Sequence, residues 1–246
     1  MPEAEFDTYA GEYAAGMDNS VKALLGESAD DFVAIKLRWL LRQFPDLCHR
    51  DETCRVLDYG CGIGTLLRLM AQHGLRATLT GCDISSGMLD EANRQWPASL
   101  PLPAFHLQDG ARVPIESGSC DIVVISAVLH HVMPPERPAV YAELRRVLRP
   151  SGRLVVFEHN PLNPVTRYVV AHTPIDRNAI LLRARDVSTA LRDAGFARVR
   201  TGYLMFLPPR LHALAAVERV LGWLPLGAQY AVTADGRMTP GTVSHR

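Results

Sequence analysis

A signal-like leader, a Cys-x-x-Cys pair, a block of one charge and a long apolar run are all missing from this 246-residue chain. The five cysteines, Cys48, Cys54, Cys61, Cys82 and Cys120, are odd in number and form no metal or redox spacing, so they read as free thiols in a reducing, cytoplasmic setting. The opening MPEAEFDTYA has neither the basic nor the apolar part of a secretory leader. With 26 Lys+Arg against 26 Asp+Glu and no basic cluster, the chain has no general attraction for phosphate backbones, and no nucleic-acid partner is expected. The most apolar stretches, 120–129 and 211–226, are too short for a bilayer span or are broken by His212, Glu218 and Arg219, so no membrane insertion is expected. There is no internal repeat and no low-complexity segment. What remains is an ordinary globular composition, 48% hydrophobic and 21% charged, near the upper size that one core supports.

Hydrophobic periodicity gives the organisation. Apolar positions at helical spacing predict an amphipathic helix over Asp30–Phe44, after a polar, Tyr-containing arm. From Arg55 to Phe157, short β-rich runs (RVLDY, ATLTGCD, AFHLQ, CDIVVIS, GRLVVFE) alternate with helical patterns (IGTLLRLMAQH, SSGMLDEANRQW, ERPAVYAELRRVL). That alternation predicts right-handed crossovers and a parallel, doubly wound α/β sheet covered on both faces. Gly74 and Pro97 mark helix ends, and Pro150-Ser151-Gly152 is read as the stop of the third helix. Beyond it we expect an irregular insertion over 159–185, a helix over Asp186–Ala194, a strand near Phe196–Phe206, an apolar helix within 209–224, a last strand AQYAVTA and a flexible tail, 239–246. The division expected is an arm and helical cap, 1–50, and one domain, 51–238.

The run Val56-Leu57-Asp58-Tyr59-Gly60-Cys61-Gly62-Ile63-Gly64 takes a hydrophobic strand into three glycines and opens a helix. Without Cβ atoms a ligand can lie against the backbone, and the helix end offers amide donors. Asp83 ends the second strand about twenty residues on, where a carboxylate can accept both hydroxyls of a ribose, and Asp109 follows the third strand on the same edge. A dinucleotide dehydrogenase fits less well. The third glycine of G-x-G-x-x-G is missing, Thr65 and Leu66 following Gly64, and Asp58 is unhelpful beside a pyrophosphate but suits a ligand carrying an ammonium group.

At these motifs the sequence resembles the class I S-adenosylmethionine-dependent methyltransferases, small-molecule type, with VLDxGCGxG, a strand-two acid and a strand-three Asp. The resemblance implies a Rossmann-like, mostly parallel sheet of seven strands, the last antiparallel, behind an N-terminal helical cap. It also implies S-adenosylmethionine as cofactor and S-adenosylhomocysteine as product. Asp58, Gly60, Cys61, Gly62 and Gly64 would cradle the methionine part, Asp83 the ribose and Ile84 the adenine. Asp109 and Gly110 would meet the adenine amino group, and Ser126 would line the floor near the sulfonium.

Methyl transfer from a sulfonium is an in-line displacement, so alignment and exclusion of water dominate, and a base is needed chiefly for a hydroxyl acceptor. His130, His131 and His159, at the strand-four and strand-five ends, are the candidates for that role, each with an alternative as scaffold. Substrate contacts are expected from Tyr9 and Tyr13 in the arm, from His159 and Asn160, and from Arg167 and Tyr168 in the insertion, a loop on the variable edge. Core packing, capping or surface roles compete at each of these positions. The apolar segment Tyr203–Leu226 is a candidate lid, or packing on the sheet, or a dimer contact. No metal is expected, because the histidines show no ligand spacing. The expected function is methylation of a small-molecule hydroxyl, of a natural product or sugar, the acceptor having a hydrophobic part, by a monomer or homodimer. N- or C-methylation, a non-methylating use of the sulfonium and a silent cofactor-binding subunit are the alternatives.

Overall fold

The computed structural model describes residues 29–45, 54–207 and 220–236. A helix, α1 (Ala29–Gln43), carries Asp30 and Asp31 in its first turn and Arg42 in its last, each complementing the helix dipole. Five strands follow, β1 (Cys54–Tyr59), β2 (Ala77–Asp83), β3 (Ala104–Leu107), β4 (Cys120–Ser126) and β5 (Leu148–His159). They are connected through α2 (Thr65–Gln72), α3 (Ser86–Gln95) and α4 (Arg137–Val147). Then come α5 (Pro164–His172), a 3₁₀ turn (Pro174–Asp176), α6 (Ala184–Asp193), β6 (Ala197–Leu204) and β7 (Gln229–Asp235).

The seven strands form one sheet in the order β3-β2-β1-β4-β5-β7-β6. β1 pairs in parallel with β2 on one side and with β4 on the other, and β7 is antiparallel to both β5 and β6. The chain reverses its winding between β1 and β4. In an open α/β sheet, the crevice for a ligand lies at that point, outside the carboxyl ends of the strands.

Alternation along the central strands builds a core on each face. Leu57, Val123, Ile125, Leu154 and Val156 pack with α4 and α6 residues such as Leu144 and Leu191. Val56, Ile122, Val124, Val155 and Phe157 pack with Leu67 and Met70 of α2 and with Ile35, Trp39 and Leu40 of α1. Trp39 meets Phe157 edge to face at 5.4 Å, and Arg68 pairs with Asp30 at 2.9 Å, so α1 is fastened both to the sheet and to α2.

Two expectations are corrected. Pro150-Ser151-Gly152 does not follow the third helix as a loop, because β5 already begins at Leu148, which pairs with Cys120 before a register shift to Arg153 opposite Ile122. The insertion is not irregular throughout either. Asn163 caps α5 by accepting from the Thr166 amide, and Pro164 fits the first turn, where no amide is needed, so the prolines start a helix rather than prevent one. The arm with Tyr9 and Tyr13, most of the apolar helix and the tail lie outside the described residues.

Candidate active site

The glycine loop leaves β1 at the switch point. Gly60, Gly62 and Gly64 all have positive φ (72°, 52° and 74°), and a Cβ on Gly60 would come within 2.4 Å of Val128 Cγ2. The loop is tied to β2, since the Gly60 and Cys61 amides both donate to the Cys82 carbonyl, at 2.8 and 2.9 Å. Asp83, at the end of β2, accepts from the Gly62 amide through Oδ2 at 2.8 Å and from the Ser85 amide through Oδ1 at 3.0 Å. Its carboxylate is thus held in place at the edge of the glycine loop.

Asp58 sits on β1 just before this loop, 3% exposed, and its Oδ1 has no hydrogen-bond partner among the described residues. Burial raises its pKa to about 7, the nearby Lys36 ammonium opposing and the Asp83 charge adding to the rise. Lys36, buried on α1, donates from Nζ to Ser126 Oγ at 2.9 Å. Sequence reading missed it. A lysine on an otherwise apolar helix face was a signal, but its proximity to Asp58 and to the end of β4 exists only once α1 folds across the sheet. Cys61 is buried and its thiol is pushed well up by burial and by Asp58 and Asp83, so it packs the loop as a neutral group. Ile84 is half-buried, and Asp109 and Gly110 are exposed in a turn closed by paired Asp109–Arg112 backbone bonds.

The three candidate histidines gather at the ends of β4 and β5. His130 is fully buried. Its Nδ1 lies 2.6 Å from Glu158 Oε2, while Glu158 Oε1 accepts from the Val128 and Leu129 amides at 3.1 and 2.7 Å. The His130 Nε2 and His131 Nε2 atoms each lie 3.4 Å from the same oxygen, Asp176 Oδ1. Burial alone would lower the His130 pKa, but the Glu158 and Asp176 carboxylates outweigh it and raise it to about 9. Burial likewise works against the Glu158 charge, and His130 overcomes it, leaving its pKa at about 2. His159, with its ring centroid 5.1 Å from that of His130, is lowered to about 3 by burial and by the His130 charge. Asp176 was not singled out from the sequence, since it lies far along the insertion and is brought in only by the turn after α5.

The remaining substrate-side candidates separate. Asn160 is buried, and its side chain donates to the Pro225 and Gly227 carbonyls at 3.1 and 2.8 Å while accepting from the Leu162 amide. It braces the approach to β7. Arg167 and Tyr168 are on the exposed side of α5, where Tyr168 stacks on His172. Trp223 is 74% exposed at the end of the apolar segment. A cavity of about 540 Å³ is lined by Trp39, Arg42, Phe44, Arg153 and Tyr203 among others, and by no residue of the glycine loop.

A doubly wound sheet with this strand order, an acid at the end of β2 and a glycine loop at the switch point defines the Rossmann-like methyltransferase architecture. Residues 56–152 match the family described as a methyltransferase domain. Among the curated proteins, the chain is similar to a demethylmenaquinone methyltransferase of Beutenbergia cavernae, 33% identical over 64% of this chain and 62% of the relative. It is also similar to a malonyl-acyl-carrier-protein O-methyltransferase of Herminiimonas arsenicoxydans, 31% identical over 68% and 59%. Among solved structures, a SAM-dependent methyltransferase from Thermotoga maritima superposes over 95% of this chain and 99% of its own, with a TM-score of 0.65 at 16% identity. The chain spans between 43% and 62% of the length of the first curated relatives it matches. Residues 56–152 therefore resemble a methyltransferase domain, set in the fold shared with solved SAM-dependent methyltransferases.

Proposed function

We propose that this chain transfers the methyl group of S-adenosylmethionine to a hydroxyl oxygen of a small molecule. The observation that carries the reading is the buried, unpartnered Asp58 Oδ1 under the glycine loop. A buried carboxylate oxygen without a donor is costly unless a ligand supplies one, and the α-ammonium of the methionine end is a cationic donor of the right kind. Lys36 complements it. In this reading its ammonium takes the α-carboxylate of the same ligand, so that the amino-acid end meets one acid and one base.

Gly60, Gly62 and Gly64 let the backbone approach the ligand, with Cys61 packing beneath. Asp83 receives the ribose hydroxyls, Ile84 flanks the adenine, and Asp109 and Gly110 meet its amino group. Ser126 lines the floor. When bound, the sulfonium supplies the electrophilic methyl group. The protein's own task is to fix the acceptor oxygen in line and to keep water out.

Oxygen is favoured over nitrogen or carbon by the likeness to a malonyl-acyl-carrier-protein O-methyltransferase. His159, half-buried at the end of β5 on the carboxyl edge, is the proposed acceptor of the hydroxyl proton; its pKa of about 3 keeps the ring neutral and able to accept, and makes it a weak base whose contribution comes from position. His130 is less suited, since Glu158 and Asp176 occupy the surroundings of both its ring nitrogens. Replacing His159 with Gln is expected to lower kcat at least about 100-fold, the lower end of what a positioned base contributes, while leaving S-adenosylmethionine affinity unchanged. Equal turnover by the variant and the wild type on the hydroxyl acceptor would remove His159 from the reaction.

A further inference from the structure

We propose that His130 Nε2, His131 Nε2 and Asp176 Oδ1 form a site for one divalent transition-metal ion of the zinc class, with Glu158 orienting His130 from behind. The three ligand atoms all lie within 4.8 Å of one another. Both histidine nitrogens stand 3.4 Å from the one carboxylate oxygen. Metal–ligand bonds of about 2.0–2.1 Å at tetrahedral angles put neighbouring ligand atoms about 3.4 Å apart, and both histidine–carboxylate spacings have that value. It is long for a hydrogen bond, and the buried Nε2 of His130 has no hydrogen-bond partner among the described residues.

The surroundings point the same way. The 2.6 Å contact between His130 Nδ1 and Glu158 fixes the ring so that Nε2 is the atom presented, the carboxylate–histidine–metal arrangement of zinc sites. Asp176 is held in position by backbone bonds, independently of the histidine side chains. Its turn is closed by the Asp176 amide donating to the Thr173 carbonyl at 3.0 Å, and the following segment is anchored by the Ile180 amide on the His130 carbonyl at 2.7 Å. Arg137 donates to the Ile180 carbonyl and Tyr230 to the Leu182 carbonyl. The ligands are therefore brought together by the backbone and do not depend on a metal to collect them.

Two imidazoles and one carboxylate suit Zn²⁺, Co²⁺, Ni²⁺ or Fe²⁺ rather than Mg²⁺ or Ca²⁺, which prefer all-oxygen shells. Three protein ligands leave a fourth position, as in sites that take water or a substrate oxygen. The proposal does not rest on the cofactor reading.

The test is titration of chelator-treated full-length protein with Co²⁺, followed by visible ligand-field absorption, and then displacement with Zn²⁺. One equivalent of Co²⁺ with the intense bands of a four- or five-coordinate site, displaced by one equivalent of Zn²⁺ but not by Mg²⁺, is expected. His131→Gln and Asp176→Asn should each weaken binding by more than the roughly 10- to 100-fold that loss of an outer partner costs, and Glu158→Gln by an amount within that range. A folded wild-type chain that takes up no Co²⁺, or folded His131→Gln and Asp176→Asn chains that bind it as tightly as wild type, would overturn the proposal and leave the cluster as an ion-pair network. The wild-type titration decides even where a variant fails to fold.

Discussion

At the scale of single residues, Asp58 and Gly60 have the most definite consequences. Asp58 must be ionised to pair with an ammonium, and burial has raised its pKa to about 7. S-adenosylmethionine affinity should therefore fall as the pH drops through about 7, by up to tenfold for each unit below it, and Asp58→Asn should flatten that profile while weakening binding by about 1.5–3 kcal/mol. Calorimetric titration across the pH range checks both. The sign for stability is opposite. A carboxyl whose folded pKa lies above its unfolded one binds a proton preferentially in the folded state, so this group's contribution to stability declines as the pH rises from the ordinary carboxylate range to about 7. Gly60→Ala adds a methyl against Val128 and a side chain at positive φ, and should cost about 1–3 kcal/mol in urea melts. Val128→Ala should restore part of that loss. The motif acids and glycines were legible in the sequence because they sit in one continuous strand–loop–helix run. Lys36 and Asp176 were not, because each becomes adjacent to its partners only through tertiary packing.

Among the elements, α1 matters beyond its own stability. It buries Trp39 and Leu40 on the sheet and, by the same docking, carries Lys36 to the end of β4. Trp39→Ala should destabilise the fold by about 3–5 kcal/mol, read by chemical denaturation, and should also weaken S-adenosylmethionine binding, since it loosens the helix that presents Lys36. Lys36→Met should do the second without most of the first. A Lys36→Met chain with unaltered cofactor affinity would remove Lys36 from the site. Most elements were visible in the sequence from period alone, as β2 and β4 run over the residues that the alternation marked out. The exceptions have local causes. α5 was hidden by the prolines around it, although Asn163-Pro164 is a helix start, and β5 starts early because its first pairing with Cys120 precedes a bulge that no side-chain alternation announces.

For the whole molecule, the sheet order places β1 and β4 side by side, and with them the glycine loop, Ser126 and the histidine cluster on one edge. The histidine cluster is built from segments far apart in sequence, the loop after β4, the end of β5 and the turn after α5. That is why the strand–loop–helix run at the glycine loop was readable and the histidine–carboxylate arrangement was not. It also separates two measurements, since metal uptake reports on the cluster and nucleoside binding on the glycine loop. The most direct test of the central claim is calorimetric titration of the purified chain with S-adenosylmethionine, S-adenosylhomocysteine and NAD in turn. The account predicts saturable binding of both sulfur ligands, lost or strongly weakened in Asp58→Asn, and none of NAD. Binding of NAD in their place, or no binding of either sulfur ligand by the folded protein, would contradict it.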